Sequence, residues 1–157
     1  MRWLSLCLIL SCVSPALADD PPMSFSGKVV KVTDGDTIHV LLDKETHKIR
    51  LLHIDAPESK QAFGTKAKQA LSEKVFGKEV KVVWKEHDRY KRILGDIYLG
   101  DRWINLEMIQ DGLAWHYKQY SKDDKMAKAE VEARESKRGL WSDPNPVPPW
   151  EYRKKKK

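Results

Sequence analysis

The sequence predicts an α+β fold, in which a five-stranded OB-type β-barrel carries about three flanking helices. The order of the elements and the chain length lead to this prediction. Three β-type segments precede a helical segment, and two more β-type segments and two further helical segments follow. A helix between the third and fourth of five strands is typical of the OB barrel. The 157 residues are enough for one domain with a substantial core.

The first three strands are predicted over Phe25–Val32, Thr37–Leu42 and Lys48–Ile54, because these segments are rich in β-branched and apolar residues. The letters DKET between the second and third strands predict a loop. The stretch VVKVTDGDTIHV breaks a valine-rich run at Asp-Gly, which is one of the strongest hairpin signals. A second interpretation stays open, because Asp34 and Asp36 are two neighbouring carboxylates that together could hold a cation.

The middle of the chain predicts a helix followed by two strands. AFGTKAKQALSEKVF, residues 62–76, places apolar residues at helical spacing on one face. Gly77 follows as a C-terminal cap. EVKVVW, residues 79–84, and RILGDIYL, residues 92–99, predict the fourth and fifth strands, separated by a charged loop.

Two helices are predicted in the C-terminal third, over Ile104–Gln110 and over about Asp123–Arg138. Ser121 and Asp124 resemble a capping pair at the start of the last helix, and Gly139 is expected to end it. The letters SDPNPVPPW cannot continue a regular helix or strand, so they predict an ordered or semi-rigid exit. The final RKKKK predicts a disordered, basic tail.

The N-terminus has the pattern of a secretory signal peptide over residues 1–18. Arg2 precedes the short apolar run WLSLCLILSCV, and ALA predicts cleavage after Ala18. The mature protein is therefore expected to be secreted or periplasmic. The letters ILSC leave a second possibility, a lipoprotein modified at Cys12. Because Cys7 and Cys12 both lie in the signal, the mature chain is expected to contain no disulfide.

The resulting organisation is a signal peptide (1–18), a short lead (19–24), one domain (25–142), and a Pro-rich exit with a basic tail (143–157). No apolar stretch after the signal is long enough to span a membrane. The net charge is +6, from 29 Lys and Arg against 23 Asp and Glu. A basic surface of this kind favours polyanions such as nucleic acid, anionic polysaccharide or acidic lipid.

Two further stretches carry candidate catalytic residues. In IRLLHIDAPES, the residues Arg50, Asp55 and Glu58 surround the end of an apolar strand. Each has an ordinary explanation alone, as a strand or surface residue. Arg50 and Asp55 have opposite parity, so they can share a site only if the chain turns near Ile54. In HDRYKRIL, Arg92 opens a strand and could grip a phosphate or belong to a solvated charge run.

The motifs DGDT, RLLHIDAPE and DRYKR, in this order, resemble the staphylococcal-type thermonucleases (the micrococcal nuclease family). GLAWHYK and RESKRGLW resemble the C-terminal half of the same family, so the similarity covers about Phe25 to Trp141. Members are secreted, calcium-dependent nucleases with an OB-type barrel. The resemblance therefore implies Ca²⁺ as cofactor and DNA and RNA as substrates. It implies no stable protein partner, and we expect a monomer.

The resemblance also implies a calcium site. Asp36 and Asp55 would be direct metal ligands, and the Ala56 carbonyl would add a third oxygen. Asp34 would lie next to these ligands without contacting the metal. An all-oxygen set of this kind suits a hard cation such as calcium, which binds six to eight oxygens.

The remaining roles implied by the resemblance concern substrate. Glu58 would lie beside the attacking water, and Arg50 and Arg92 would hold the scissile phosphate. The segment between Glu58 and the first helix is shorter than in the founding enzyme, so the family's loop contacts to Glu58 are not carried over. Three aromatic residues match positions that contact substrate in the family: Tyr90, Tyr117 and Trp115. Trp115 stands where the family usually has a tyrosine.

Three functions are thus compared. The first is a calcium-dependent endonuclease that leaves 3′-phosphates. The second is a non-catalytic OB-type module that binds nucleic acid, but such modules usually lose the carboxylates or arginines that are all present here. The third is a polyanion- or membrane-surface binder that acts through the tail. The third explains the lysines but none of the carboxylates, so the enzyme is preferred.

Overall fold

The computed structural model describes residues 22–155, so the expected signal peptide and the last two lysines lie outside the described residues. The strands of this part are β1 (Met23–Asp34), β2 (Thr37–Leu42), β3 (Glu45–Leu51), β4 (Ile54–Asp55), β5 (Glu79–His87), β6 (Ile93–Leu99), β7 (Arg102–Trp103) and β8 (Trp115–His116). The helices are α1 (Gly64–Val75), α2 (Ile104–Gln110), α3 (Asp124–Glu135), α4 (Pro149–Lys154) and a 3-10 helix at Gly139–Ser142.

Five strands form a closed barrel in the order β3-β2-β1-β5-β6. Neighbours in this order are antiparallel, and a parallel pairing of β3 with β6 closes the ring, with Ile49 opposite Ile93 and Leu51 opposite Gly95. The α+β class and the five-stranded barrel predicted from the sequence are thereby confirmed. The closing pair also places the start of β6 beside the strand that carries Arg50.

The barrel interior is filled by alternate residues of the strands, as the period of a half-buried strand requires. α1 packs against β1, and its Ala67, Leu71 and Val75 are fully buried. α2 packs between β6 and α3. Within the described residues, no helix is both long and apolar enough to cross a membrane. The interior side chains with no exposed surface include Val29, Ile38, Val40, Ile49, Val82 and Ile97.

The helix α3 begins within one residue of its predicted start, but its capping differs from the prediction. Its N-cap is Asp123, whose carboxylate accepts hydrogen bonds from the backbone N–H groups of Lys125 (2.8 Å) and Met126 (3.0 Å). The predicted pairing of Ser121 with Asp124 is therefore wrong. Instead, the side chain of Asp123, the residue before Asp124, satisfies free N–H groups of the first turn.

The end of the chain differs more. α3 ends at Glu135 rather than near Gly139, and Gly139 (φ 52°) instead opens the 3-10 helix. The exit residues then lead into α4, which was not predicted. Pro149 occupies its first position, where the missing N–H costs nothing. The prediction of a disordered tail is wrong for Arg153 to Lys155, which are part of this helix or its C-cap.

A charge cluster joins α1, α2 and β7 around Glu107. The Nε and Nη2 atoms of Arg102 donate to the Glu107 carboxylate, both at 2.7 Å, and Lys74 Nζ lies 2.9 Å from Glu107 Oε2 and from Asp111 Oδ2. The Arg102 hydrogen bonds, opposed in part by burial and helped by Lys74, lower the pKa of Glu107 from 4.5 to about 2. The charged form of Glu107 therefore stabilises the fold.

We expect Glu107→Gln to lower the free energy of unfolding by about 1–2 kcal/mol at pH 7, after allowing for solvent screening at this partly exposed cluster. Because the folded pKa lies below the unfolded one, this stabilisation is present above the unfolded value of 4.5 and is lost as pH falls toward about 2. Urea unfolding across that range would measure it. The exposed Glu132→Gln is the control, and a gap between wild type and Glu107→Gln that does not narrow in acid would contradict the prediction.

Candidate active site

A sharp turn after β3 brings Arg50 and Asp55 together. The strand predicted through Ile54 stops at Leu51, because His53 adopts a left-handed conformation (φ 69°) that a strand cannot contain. The chain then forms the two-residue β4, in which Asp55 pairs with Trp115 of β8. This turn meets the condition that the parity argument set for a shared site.

Arg50 links two predicted metal ligands. Its Nη2 atom lies 3.1 Å from Asp36 Oδ2 and 3.0 Å from Asp55 Oδ1. Its Nη1 atom donates to the carbonyls of Leu51 (2.7 Å) and Ile54 (2.9 Å), the two residues that flank the turn. The guanidinium therefore fixes the turn and holds both carboxylates at one point.

The Asp-Gly-Asp turn delivers Asp36 to this point. Asp36 Oδ2 accepts a hydrogen bond from the Ala56 N–H at 2.8 Å, and Oδ1 accepts one from the Thr37 hydroxyl at 3.1 Å. Gly35 allows the close approach, since a Cβ there would lie 2.7 Å from the Cβ atoms of Ala56 and Ala67. The hairpin and the candidate cation site are thus the same structure.

Asp34 stands behind Asp36 and accepts a hydrogen bond from the Asp36 N–H at 3.1 Å. Burial, with the charge of Asp36, raises the pKa of Asp34 to about 6. Burial also raises the pKa of Asp55, although hydrogen bonds from Arg153 act in the opposite direction. Burial is the largest cause of both shifts, and a bound cation would act in the opposite direction by favouring the charged carboxylates.

The donor chemistry fits calcium. Asp36, Asp55 and the Ala56 carbonyl are all oxygen donors, and Asp36 and Asp55 are joined through one arginine atom. Among residues 22–155, no group of three or more His, Cys, Asp or Glu side chains is arranged so that it could hold a metal ion. A cation here would therefore depend on two carboxylates supplemented by main-chain and water oxygens.

Glu58 is held by its own loop and by α4. Its N–H donates to Gln61 Oε1 at 3.1 Å, and its carbonyl accepts from the Gln61 N–H at 2.8 Å. Arg153 Nη1 donates to Glu58 Oε1 at 2.8 Å. The Glu58 side chain remains 40% exposed, so solvent reaches it.

Arg153 also reaches Asp55, and sequence reasoning missed this residue. Its Nη2 donates to Asp55 Oδ2 at 2.8 Å and its Nη1 to Asp55 Oδ1 at 3.2 Å. A signal was present, since Pro148-Pro149 followed by Trp-Glu-Tyr-Arg is a plausible helix start with proline at its first position. The five consecutive basic residues at 153–157 instead favoured the interpretation of a disordered tail.

Arg92 has different partners from Arg50. Its Nε and Nη2 atoms both lie 2.7 Å from Asp88 Oδ2, and its backbone N–H also bonds to Asp88. Its guanidinium lies 5.6 Å from the ring centroid of Tyr90, which is 65% exposed. The structure thus presents Arg92 and Tyr90 together at the start of β6.

The two remaining substrate candidates pack against α4. Tyr117 stacks on Trp150 with a centroid distance of 5.5 Å and an interplanar angle of 3°. Trp115 is only 7% exposed and contacts Trp141 (4.4 Å) and Trp150 (5.6 Å). In this conformation Trp150 covers one face of Tyr117, and Trp115 is packed against Trp141, Trp150 and Arg134.

Comparison with known proteins shows which proteins this chain is similar to. The family described as staphylococcal nuclease homologue matches residues 48–143. A micrococcal nuclease of Shigella flexneri is 44% identical over 168 aligned residues, covering 100% of this chain and 94% of that protein. An uncharacterized endonuclease of Escherichia coli is 47% identical, covering 83% of this chain and 86% of that protein. A staphylococcal-like nuclease of Arabidopsis thaliana is 46% identical, covering 70% of this chain and 34% of that protein.

Proposed function

The chain belongs to the staphylococcal nuclease family, and on this premise we propose that it is an exported, calcium-dependent nuclease that hydrolyses phosphodiester bonds of DNA and RNA. The observation that carries the proposal is the convergence of Asp36 and Asp55 on one nitrogen of Arg50. Glu58, whose side chain is open to solvent, is linked to Asp55 through Arg153. A barrel that only binds nucleic acid has no need for this buried carboxylate pair, which is costly to desolvate.

Each of these residues has a separate role in the proposed reaction. Asp36, Asp55 and the Ala56 carbonyl would hold the calcium ion, which when bound supplies positive charge to the oxygens of the scissile phosphate. Arg50 and Arg92 donate to the same oxygens and stabilise the charge that builds up on them during in-line attack. Glu58 orients the attacking water or takes its proton, and the oxygen opposite the water leaves.

Two further features are part of the proposal. The family resemblance supports departure of the 5′ oxygen, so the products would carry 3′-phosphates. The signal-like N-terminus supports export, either secretion or release into a periplasm, with cleavage after Ala18. Calcium is abundant outside cells, so the modest affinity expected of a site with few protein ligands would suffice there.

The test is hydrolysis of single-stranded DNA and of RNA by the purified protein. We expect cleavage with calcium, a loss of at least about 10³-fold with excess chelator, and recovery when calcium is restored. Magnesium should support little turnover, because it demands stricter octahedral geometry than this oxygen set offers. Asp36→Asn should raise the calcium concentration required, and Asp43→Asn, in the exposed β2–β3 turn, is the matched control. Undiminished cleavage in chelator would refute the metal assignment, and binding without cleavage would indicate the non-catalytic module.

A further inference from the structure

The helix α4 brings a cation into the carboxylate cluster from outside the part of the chain that the family match covers. That match ends at residue 143, whereas Arg153 lies in Pro149–Lys154. Arg153 bonds to both oxygens of Asp55 and to one oxygen of Glu58, at 2.8 to 3.2 Å. Paired hydrogen bonds from one guanidinium to both oxygens of a carboxylate are charge-assisted and about twice as strong as neutral ones.

The position of Arg153 is set by several contacts of the same segment. The Tyr152 hydroxyl donates to the Lys60 carbonyl at 3.0 Å, and Gln61 Nε2 donates to the Val147 carbonyl at 2.6 Å. Trp150 stacks on Tyr117. The first two contacts hold α4 and the residue Val147 before it to the loop that carries Glu58, and the third holds α4 to the segment after β8. The guanidinium is therefore placed by a docked helix rather than by a free tail.

A cation bound by Asp55 would meet this guanidinium at close range. Asp55 is 1% exposed, and its two oxygens already receive hydrogen bonds from Arg50 and Arg153. Like charges a few ångströms apart in a partly buried site repel strongly, because water screens them poorly. Arg153 and a divalent ion therefore compete for the same carboxylate charge.

We propose that Arg153 is the resident counter-ion of Asp55 and Glu58, and that it sets the calcium concentration the site requires because calcium must displace it from Asp55. This inference rests on the proposed function, since it needs a calcium site at Asp36 and Asp55. When the ion binds, the contact between Arg153 and Asp55 breaks, whereas the contacts of Tyr152 and Trp150 hold α4 in place.

The experiment is calcium titration of the full-length protein by calorimetry, without nucleic acid, so that its readout is independent of activity. We expect Arg153→Ala and Arg153→Gln each to tighten calcium binding by about tenfold or more, because both remove the competing charge. Lys154→Ala removes the same charge from the next, exposed position of α4 and should change the affinity by less than about twofold. Equal affinities in wild type, Arg153→Ala and Arg153→Gln would overturn the inference while leaving the calcium site intact.

Thermal unfolding gives a second readout. A ligand that binds only the folded state stabilises it in proportion to the logarithm of its concentration over Kd, so tighter binding produces a larger rise in Tm. Without calcium, Arg153→Ala should melt below wild type, because Asp55 loses a partner. On addition of calcium its Tm should rise more than that of wild type or Lys154→Ala, and an equal rise would count against the proposal. If no variant binds calcium, the proposed function fails together with this inference.

Discussion

Replacing Glu58 by glutamine is expected to lower the turnover of nucleic-acid hydrolysis by about 10²–10⁴-fold, which is the usual contribution of a positioned general acid or base. The amide keeps the size of the side chain and can still accept a hydrogen bond from Arg153, but it has lost both charge and basicity. The fold should be preserved, since Glu58 is only half-buried in an exposed loop. Single-turnover rates at saturating calcium measure the effect.

The control for this change is Glu45→Gln, which removes the same charge from an exposed position at the start of β3. Calcium binding by Glu58→Gln should persist, because Asp36 and Asp55 are unchanged. A variant with wild-type turnover would make Glu58 a bystander, and activation of the water would then have to come from elsewhere in the site.

Arg92→Ala is expected to slow the chemical step by about 10²–10³-fold, the cost of losing one preorganised electrostatic donor. Its effect on calcium binding should be small, because Arg92 pairs with Asp88 and not with the predicted metal ligands. The measurement compares kcat at saturating calcium with the calcium affinity of the same preparation. The two quantities separate a role in catalysis from a role in metal binding.

Lys91→Ala is the matched control, since Lys91 is the exposed neighbour of Arg92 in the same turn. Alanine tolerates the left-handed conformation of this position (φ 60°) about as well as lysine does. If Arg92→Ala and Lys91→Ala both had wild-type turnover, Arg92 would have a structural role only, which is to hold the turn closed through its bonds to Asp88.

The elements of the barrel were predictable because their patterns are local. β2 and α2 have the predicted bounds, and β1 extends the prediction by two residues at each end. α1 begins and ends within two residues of its predicted bounds. Strand alternation and helical spacing depend on near neighbours in the chain, so a sequence reports them directly.

The wrong predictions concern segments whose structure depends on contacts between residues that are distant in the sequence. The sequence predicts a third strand that continues through Ile54, whereas the left-handed His53 ends it and the short β4 pairs with β8 instead. The basic charge of the last five residues predicts disorder at the C-terminus, but Arg153 to Lys155 belong to α4 or its C-cap. Burial of Trp150 against Trp115 and Tyr117 provides the apolar contacts that a lysine-rich composition does not suggest.

By itself the sequence determined the barrel class, the basic charge and the residues Asp36, Arg50 and Asp55 as a candidate site, since each follows from local pattern or from a motif. Only the tertiary structure decided that Arg50 joins the two aspartates, and that Arg153 contacts Asp55 across 98 positions of the chain. The physical reason is that a salt bridge between distant residues depends on helix docking and strand closure. Neither helix docking nor strand closure produces a periodic pattern in the sequence around the residues that it brings together.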